Sequence, residues 1–107
     1  MHIKSEYLGD LRTSATHIKS GKKIITDAPL DNNGKGEAFS PTDLVAGALT
    51  SCMMTIMGIH ARKHGYDIDG MSASTEKIMR SEPRAISGIR IIFTWPECEV
   101  PQAEKVT

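Results

Sequence analysis

The chain has 107 residues, which is enough for one domain of ordinary size and too few for a second hydrophobic core. Its 13 basic and 13 acidic side chains cancel to a formal net charge of zero, which argues against nucleic acid or an anionic membrane as a partner. Two cysteines, Cys52 and Cys98, are too few for the disulfide framework of a small secreted protein.

No segment of the chain has the pattern of a membrane span or a secretory leader. The longest uncharged run, residues 44–59, is shorter than the ~20 apolar residues that cross a bilayer. The N-terminus lacks the basic and then apolar order of a leader sequence. We therefore expect a single cytoplasmic domain, residues 1–107, with reduced thiols and no membrane partner.

The first third of the chain has the alternation of β-strands. Apolar and polar residues alternate over residues 3–8 and 13–18, and residues 23–26 are rich in β-formers. This pattern predicts a three-stranded antiparallel meander. Residues 28–37 then contain proline, asparagine, aspartate and glycine with almost nothing to bury, which predicts a surface loop.

A long helix is predicted from Pro41 to His64. Ser40 suits the N-cap, Pro41 suits the first helical position, and Asp43 completes a capping box with Ser40. Basic side chains at the other end complement the helix dipole, and Gly65 can adopt the left-handed conformation that ends a helix. Because the middle of this helix carries no charge, it must be buried on all sides, which a single short chain does not easily achieve.

A second hairpin follows the helix. Residues 71–79 alternate, residues 81–84 form a turn, and residues 86–95 form a strand with Ile89, Ile91, Phe93 and Trp95 on one face. Residues 101–106 look like the first turns of a further helix. The sequence therefore predicts an α+β fold that is short at its C-terminus.

Three segments and a cysteine resemble the OsmC/Ohr family of small dimeric thiol peroxidases, which act on organic hydroperoxides. The segments are Tyr7–Arg12, Ile25–Pro29 and Phe39–Leu44, and the cysteine follows in the pair Ser51-Cys52. The likeness is closest to the general OsmC-like branch. It implies an OsmC-like fold with an N-terminal meander, a long central buried helix and a second hairpin, in an intertwined homodimer whose two long helices pack together.

The resemblance also implies a site. Cys52 corresponds to the peroxidatic cysteine, and Arg12, in the N-terminal strands, is the candidate for the arginine that activates its thiolate. Thr42 occupies a position that is often a glutamate in the family, and in those relatives the glutamate orients the activating arginine. The implied substrate is a small organic hydroperoxide, the electron donor is an external dithiol, and no cofactor or metal is implied.

Several features leave other interpretations open. The family's resolving cysteine lies on a C-terminal helix that this chain lacks, and Cys98 precedes that position between two glutamates. Together with Thr42, this favours the alternative of a non-catalytic dimeric binding or scaffold protein with the same fold. A structural, inert role is also the ordinary interpretation of a mid-helix cysteine such as Cys52. His60 and His64 share a helix face and would allow a metal-binding stress protein, although the helix dipole explains them more simply.

Overall fold

The structure is a computed structural model that describes residues 1–95, so Cys98 and the helical turns predicted near the C-terminus lie outside it. Over these residues the chain is α+β, as the sequence predicts, with three strands, one long helix and two further strands in chain order. It divides into two compact units, Met1–Val45 and the residues from Ala46 onward. The elements are β1 (Ile3–Gly9), β2 (Arg12–His17), β3 (Lys23–Asp27), a short 3-10 helix (Leu30–Asn32), α1 (Pro41–Lys63), β4 (Ser72–Arg80) and β5 (Ala85–Thr94).

The first unit contains the predicted meander. β1, β2 and β3 pair in chain order, and both pairings are antiparallel. Asp10 and Leu11 join β1 to β2 with φ angles of 54° and 63°, which matches the backbone twist that two-residue hairpin turns require. In the β2–β3 ladder Arg12 lies opposite Asp27, so the first residue of one strand faces the last residue of the other.

The loop between β3 and α1 is tied to itself by backbone hydrogen bonds. The N–H groups of Asn32 and Gly34 both donate to the carbonyl of Pro29, at 3.0 and 2.9 Å, and the N–H of Gly36 donates to the carbonyl of Ala28 at 3.1 Å. Asn33 takes the left-handed conformation, with φ at 65°. The predicted surface loop is therefore an ordered turn that brings the chain back beside the end of β3.

Helix α1 begins and ends through the capping signals seen in the sequence. The N–H of Asp43 donates to Ser40 Oγ at 3.1 Å, and the N–H of Ser40 donates to Asp43 Oδ2 at 3.0 Å, which completes the capping box. At the other end the N–H of Tyr66 donates to the carbonyl of Ala61 at 3.0 Å, and Gly65 has φ of 75°. These are features of a Schellman motif. The prediction is confirmed to within one residue.

The second unit contains the predicted hairpin of β4 and β5. Ile89, Ile91 and Phe93 are half-buried and alternate with exposed residues, as expected for one covered face. The register shifts once, between Ile78 and Met79. The hydroxyls of Thr50 and Thr75, 2.6 Å apart, join α1 to β4.

Burial of α1 is limited within a single chain. Its buried residues are Ala46, Thr50 and Ala61, and the buried apolar side chains of the described part of the chain are only Ala46, Ala61 and Met71. The expected burial of the helix on all sides is therefore not met by one chain alone. One face of the helix, which we call the exposed stripe, carries Val45, Leu49, Cys52, Ile56 and Ile59.

Within residues 1–95, α1 is also the one helix that is long and apolar enough to cross a membrane, judged by length and composition. Central helices of globular folds often have the same length and composition. The property therefore does not distinguish a membrane span from a helix covered by protein.

Candidate functional site

Cys52 is a free thiol on the exposed stripe of α1. It lies ~three turns from the start of the helix, beyond the first turn in which the helix dipole stabilises an anion. Leu49 and Ile56, one turn before and after it on the same face, are apolar and exposed. A positive charge that favours the thiolate must therefore come from outside this face of the helix.

Arg12, the candidate activating residue, is paired with two carboxylates in the first unit. Its Nη2 atom is 3.3 Å from Asp27 Oδ2 and 3.4 Å from Glu37 Oε2. The β2–β3 register brings Asp27 to this position, and the turn of residues 28–37 brings Glu37. We call Arg12, Asp27 and Glu37 the arginine cluster.

The three members of the arginine cluster differ in exposure. The side chain of Asp27 is 0% exposed, that of Arg12 is 31% exposed and that of Glu37 is 62% exposed. The cluster has one cation and two anions, so Arg12 does not provide an excess positive charge by itself. The two carboxylates therefore reduce the positive potential that Arg12 produces around itself.

Asp27 is held in its ionised form by the groups around it. Its Oδ2 atom accepts the N–H of Glu37 at 3.0 Å, and this bond is the main cause that lowers the pKa of Asp27 below its ordinary value. Burial acts in the opposite direction, and the hydrogen bond and charge of Arg12 add to the lowering. The carboxylate is therefore ionised at neutral pH in spite of its burial.

Two polar atoms of the arginine cluster have no hydrogen-bond partner within the described residues. They are Arg12 Nε and Asp27 Oδ1, and both are buried. Leaving buried polar atoms unpaired costs free energy, so such atoms are rare in folded proteins. The two unpaired atoms therefore lower the net stabilisation that the ion pair of Arg12 and Asp27 provides.

Thr42 has a different environment from the one that the resemblance implies. Its Oγ1 atom lies 3.1 Å from Ser40 Oγ, at the start of α1. The acids that contact Arg12 are instead Asp27 and Glu37, neither of which was a candidate in the sequence analysis. The sequence did hold a signal for Asp27, because this residue belongs to a segment that carries the family resemblance. Its pairing with Arg12, however, depends on the register of β2 and β3.

The two histidines at the end of α1 stack on each other. The ring centroids of His60 and His64 are 4.1 Å apart, and the Nδ1–H of His64 donates to the carbonyl of His60 at 2.9 Å. Among residues 1–95, no group of three or more histidine, cysteine or acidic side chains is placed to hold a metal ion. The pair interacts as part of the helix end, where a positive charge is favourable.

A cavity of about 610 Å³ lies in the second unit beside this end of the helix. Its lining includes the apolar side chains of Ile59 and Ile68, together with Arg62 and the acids Asp67 and Asp69. The N–H of Asp69 donates to Asp67 Oδ1 at 2.6 Å, and the nearby Asp67 carboxylate raises the pKa of Asp69. The cavity therefore combines an apolar wall with charges of both signs.

The fold, the capped helix and its exposed cysteine define a protein of the OsmC type. The chain matches the model of the OsmC family, described as OsmC-like protein, over residues 34–107. This match covers more than half of the chain, so the chain belongs to the OsmC-like family, and the resemblance seen in the sequence is confirmed.

A solved structure shares this fold. It is a crystal structure from Psychrobacter arcticus 273-4, described as an osmotic stress induced and detoxification response protein. It matches with a TM-score of 0.94 and 50% sequence identity, over 99% of this chain and 77% of that one. No curated protein sequence matches the chain significantly.

Proposed function

We propose that this protein is a thiol-dependent peroxidase that reduces organic hydroperoxides in a stress response. Membership of the OsmC-like family supports the proposal, as does the description of the similar Psychrobacter protein. The observation that carries it is that the chain is 50% identical to a protein described as a detoxification response protein and has a free cysteine, Cys52, on its long helix. In this proposal the protein works in the cytoplasm.

The chemistry needs the thiolate of Cys52 as the nucleophile. It attacks one oxygen of the hydroperoxide, an S–O bond forms as the O–O bond breaks, and the departing alkoxide takes a proton and leaves as an alcohol. The product on the protein is a sulfenic acid. One thiol of an external dithiol condenses with it and releases water, and the second thiol then displaces Cys52 and completes a disulfide in the donor.

Arg12 supplies the positive charge in this mechanism. A cation favours the thiolate over the thiol and stabilises negative charge on the departing oxygen. The apolar surroundings of Cys52 on α1 provide neither effect. The catalytic pair in the proposal is therefore Cys52 and Arg12, and no cofactor or metal takes part.

We further propose that the working form is a homodimer. A contiguous apolar face on a long helix marks an interaction surface, and removing it from water stabilises a complex by roughly 25 cal/mol per Å². Ile56 and Ile59 are 61% and 60% exposed, and Val45 is 55% exposed. A second copy of the chain that packs on Val45, Ile56 and Ile59 would bury apolar surface that α1 leaves exposed, while the peroxidase chemistry requires that Cys52 stays open to the hydroperoxide.

The second candidate is a non-catalytic dimeric binding protein of the same fold. Thr42 favours it, because the position that is often a glutamate in the family holds a neutral side chain, whose hydroxyl lies 3.1 Å from Ser40 Oγ. Cys52 is also the one cysteine in residues 1–95. In this alternative Cys52 would react with a hydroperoxide no faster than an ordinary thiol.

The rate and site of thiol oxidation distinguish the two candidates. The protein is mixed with one equivalent of tert-butyl hydroperoxide and a sulfenic-acid trap, and the products are followed by mass spectrometry. Wild type, Cys52→Ser and Cys98→Ser are compared. Fast trapping at Cys52 in wild type and in Cys98→Ser, with none in Cys52→Ser, supports the peroxidase. Slow oxidation shared by both cysteines contradicts it and favours the binding protein.

A further inference from the structure

We propose that Asp27 is the residue that positions Arg12, in the role that a glutamate beside the helix proline has in many relatives. The inference rests on the proposed function, since the orientation of Arg12 affects catalysis only if Arg12 acts on Cys52. Asp27 is not among the site residues that the family resemblance implies, which are Cys52, Arg12 and Thr42. Thr42 cannot fill this role, because it is neutral and its hydroxyl lies against Ser40.

The first argument is that Asp27 is itself held in place. It is the last residue of β3, and its N–H donates to the carbonyl of Phe39 at 2.9 Å. Its carboxylate accepts the N–H of Glu37 through the same oxygen that contacts Arg12. A carboxylate fixed at both backbone and side chain gives the flexible Arg12 side chain a defined partner.

The second argument is the contrast between the two acids of the arginine cluster. Glu37 is 62% exposed and reaches Arg12 from a turn, so solvent screens its attraction. Asp27 is fully buried and pairs across a strand ladder, where the backbone sets the separation. Asp27 is therefore the main constraint on the guanidinium, and Glu37 adds a weaker one.

The third argument is that the two possible roles of Asp27, positioning Arg12 and only adding negative charge, predict opposite shifts in the pH at which Cys52 becomes reactive when Asp27 is removed. If Asp27 only added negative charge, its removal would leave more positive charge for the thiolate, and Cys52 would become reactive at lower pH. If Asp27 positions Arg12, its removal lets the guanidinium move away, and Cys52 becomes reactive only at higher pH. The direction of the change identifies the role.

The experiment measures the alkylation of Cys52 by iodoacetamide as a function of pH, in a Cys98→Ser background. The variants are Asp27→Asn, Arg12→Ala and the double variant, with far-UV circular dichroism as a folding check. We expect Asp27→Asn and Arg12→Ala each to move the half-maximal rate to higher pH. We expect the double variant to match Arg12→Ala, because Asp27 acts only through Arg12.

The same variants are then tested with tert-butyl hydroperoxide. We expect Asp27→Asn to slow sulfenic-acid formation on the order of tenfold, as displacement of a catalytic group does. Asp27→Glu keeps the charge but moves the carboxylate by one methylene group. It should behave like Asp27→Asn if position matters, and it provides a second variant if Asp27→Asn does not fold.

Three results would overturn the inference: an alkylation midpoint that falls in Asp27→Asn, a midpoint that does not change, or effects of the two substitutions that add. A wild-type protein that does not react rapidly with hydroperoxide would instead overturn the proposed peroxidase. The alkylation profile does not depend on peroxidase activity, so the two failures are separate.

Discussion

Ser40 and Asp43 cap each other at the start of α1, each accepting the backbone N–H of the other through a side-chain oxygen. Ser40 is 1% exposed, so its side of this exchange lies out of contact with water, while Asp43 is half-buried. Because the exchange sets where the helix begins, it places Cys52 about three turns into α1. The residues that share a face with Cys52 follow from the helical repeat alone.

Replacing Ser40 with alanine should destabilise the protein by about 1 kcal/mol, because Asp43 N–H loses its acceptor. Urea unfolding at pH 7 measures the change in the free energy of unfolding. Ser51→Ala is the matched control, since Ser51 is exposed within the same helix and alanine has the higher helix propensity. Equal losses in the two variants would contradict a specific capping role for Ser40.

The stability of the protein should fall below about pH 4 in a way that depends on Asp27. The pKa of Asp27 is lower in the folded state than its ordinary value near 3.9. Its contribution to stability is therefore fully present above that value and is lost as the pH falls through the lower, folded-state pKa. We expect the Tm of wild type to fall more steeply between about pH 4 and pH 2 than the Tm of Asp27→Asn.

The control for this pH series is Glu6→Gln, which removes an exposed carboxylate of β1. Its Tm profile should run parallel to that of wild type. If the profiles of Asp27→Asn and wild type were also parallel, the lowered pKa of Asp27 would not contribute to folding stability.

Gly34 should not tolerate a side chain. A Cβ atom added there would lie 1.8 Å from the carbonyl oxygen of Ala28, so the backbone of the turn would have to move. We expect Gly34→Ala to lower the free energy of unfolding, and to loosen the contact of Glu37 with Arg12. Gly47→Ala is the control, because no atom beyond its chain neighbours and the adjacent helix backbone lies within 4 Å of its added Cβ, and alanine favours the helix by ~1 kcal/mol. A loss in Gly47→Ala that matched the loss in Gly34→Ala would show that the crowding at Gly34 is not the cause.

The proposed dimer can be tested through Ile56, which lies one turn after Cys52 on the exposed stripe. Ile56→Asp places a charge where the second copy would bury it, which costs several kcal/mol. We expect light scattering after gel filtration to show a dimer for wild type and a monomer or unfolded chain for this variant. Lys19→Asp, in the turn after β2, adds the same acid at an exposed position and should remain dimeric. A monomeric wild type would remove the dimer proposal.

The sequence predicts the elements of this fold well because their signals are local. Alternation marks the strands, and Ser40, Asp43 and Gly65 mark both ends of the helix within a few residues of where they act. The family resemblance added the identity of the fold. The finer statements about Cys52 and its activation remain proposals.

The arginine cluster was not predicted because its contacts are not local. Arg12 and Asp27 are adjacent only in one register of the β2–β3 ladder, and Glu37 reaches them only because the following turn folds back. Alternation places a side chain on a face but does not say which residue lies opposite on the next strand. The limited burial of α1 within one chain was anticipated from its uncharged sequence, but such a sequence indicates only that the helix must be covered and not what covers it.

The turn between β2 and β3 has a consequence for comparing related chains. Two backbone hydrogen bonds close it, from His17 N–H to the Lys22 carbonyl and from Gly21 N–H to the His17 carbonyl, both at 2.8 Å. A one-residue slip in a ladder moves every side chain of a strand to the other face. A relative with one residue more or less in this turn would therefore keep both an arginine and an aspartate in its alignment while losing the ion pair between them.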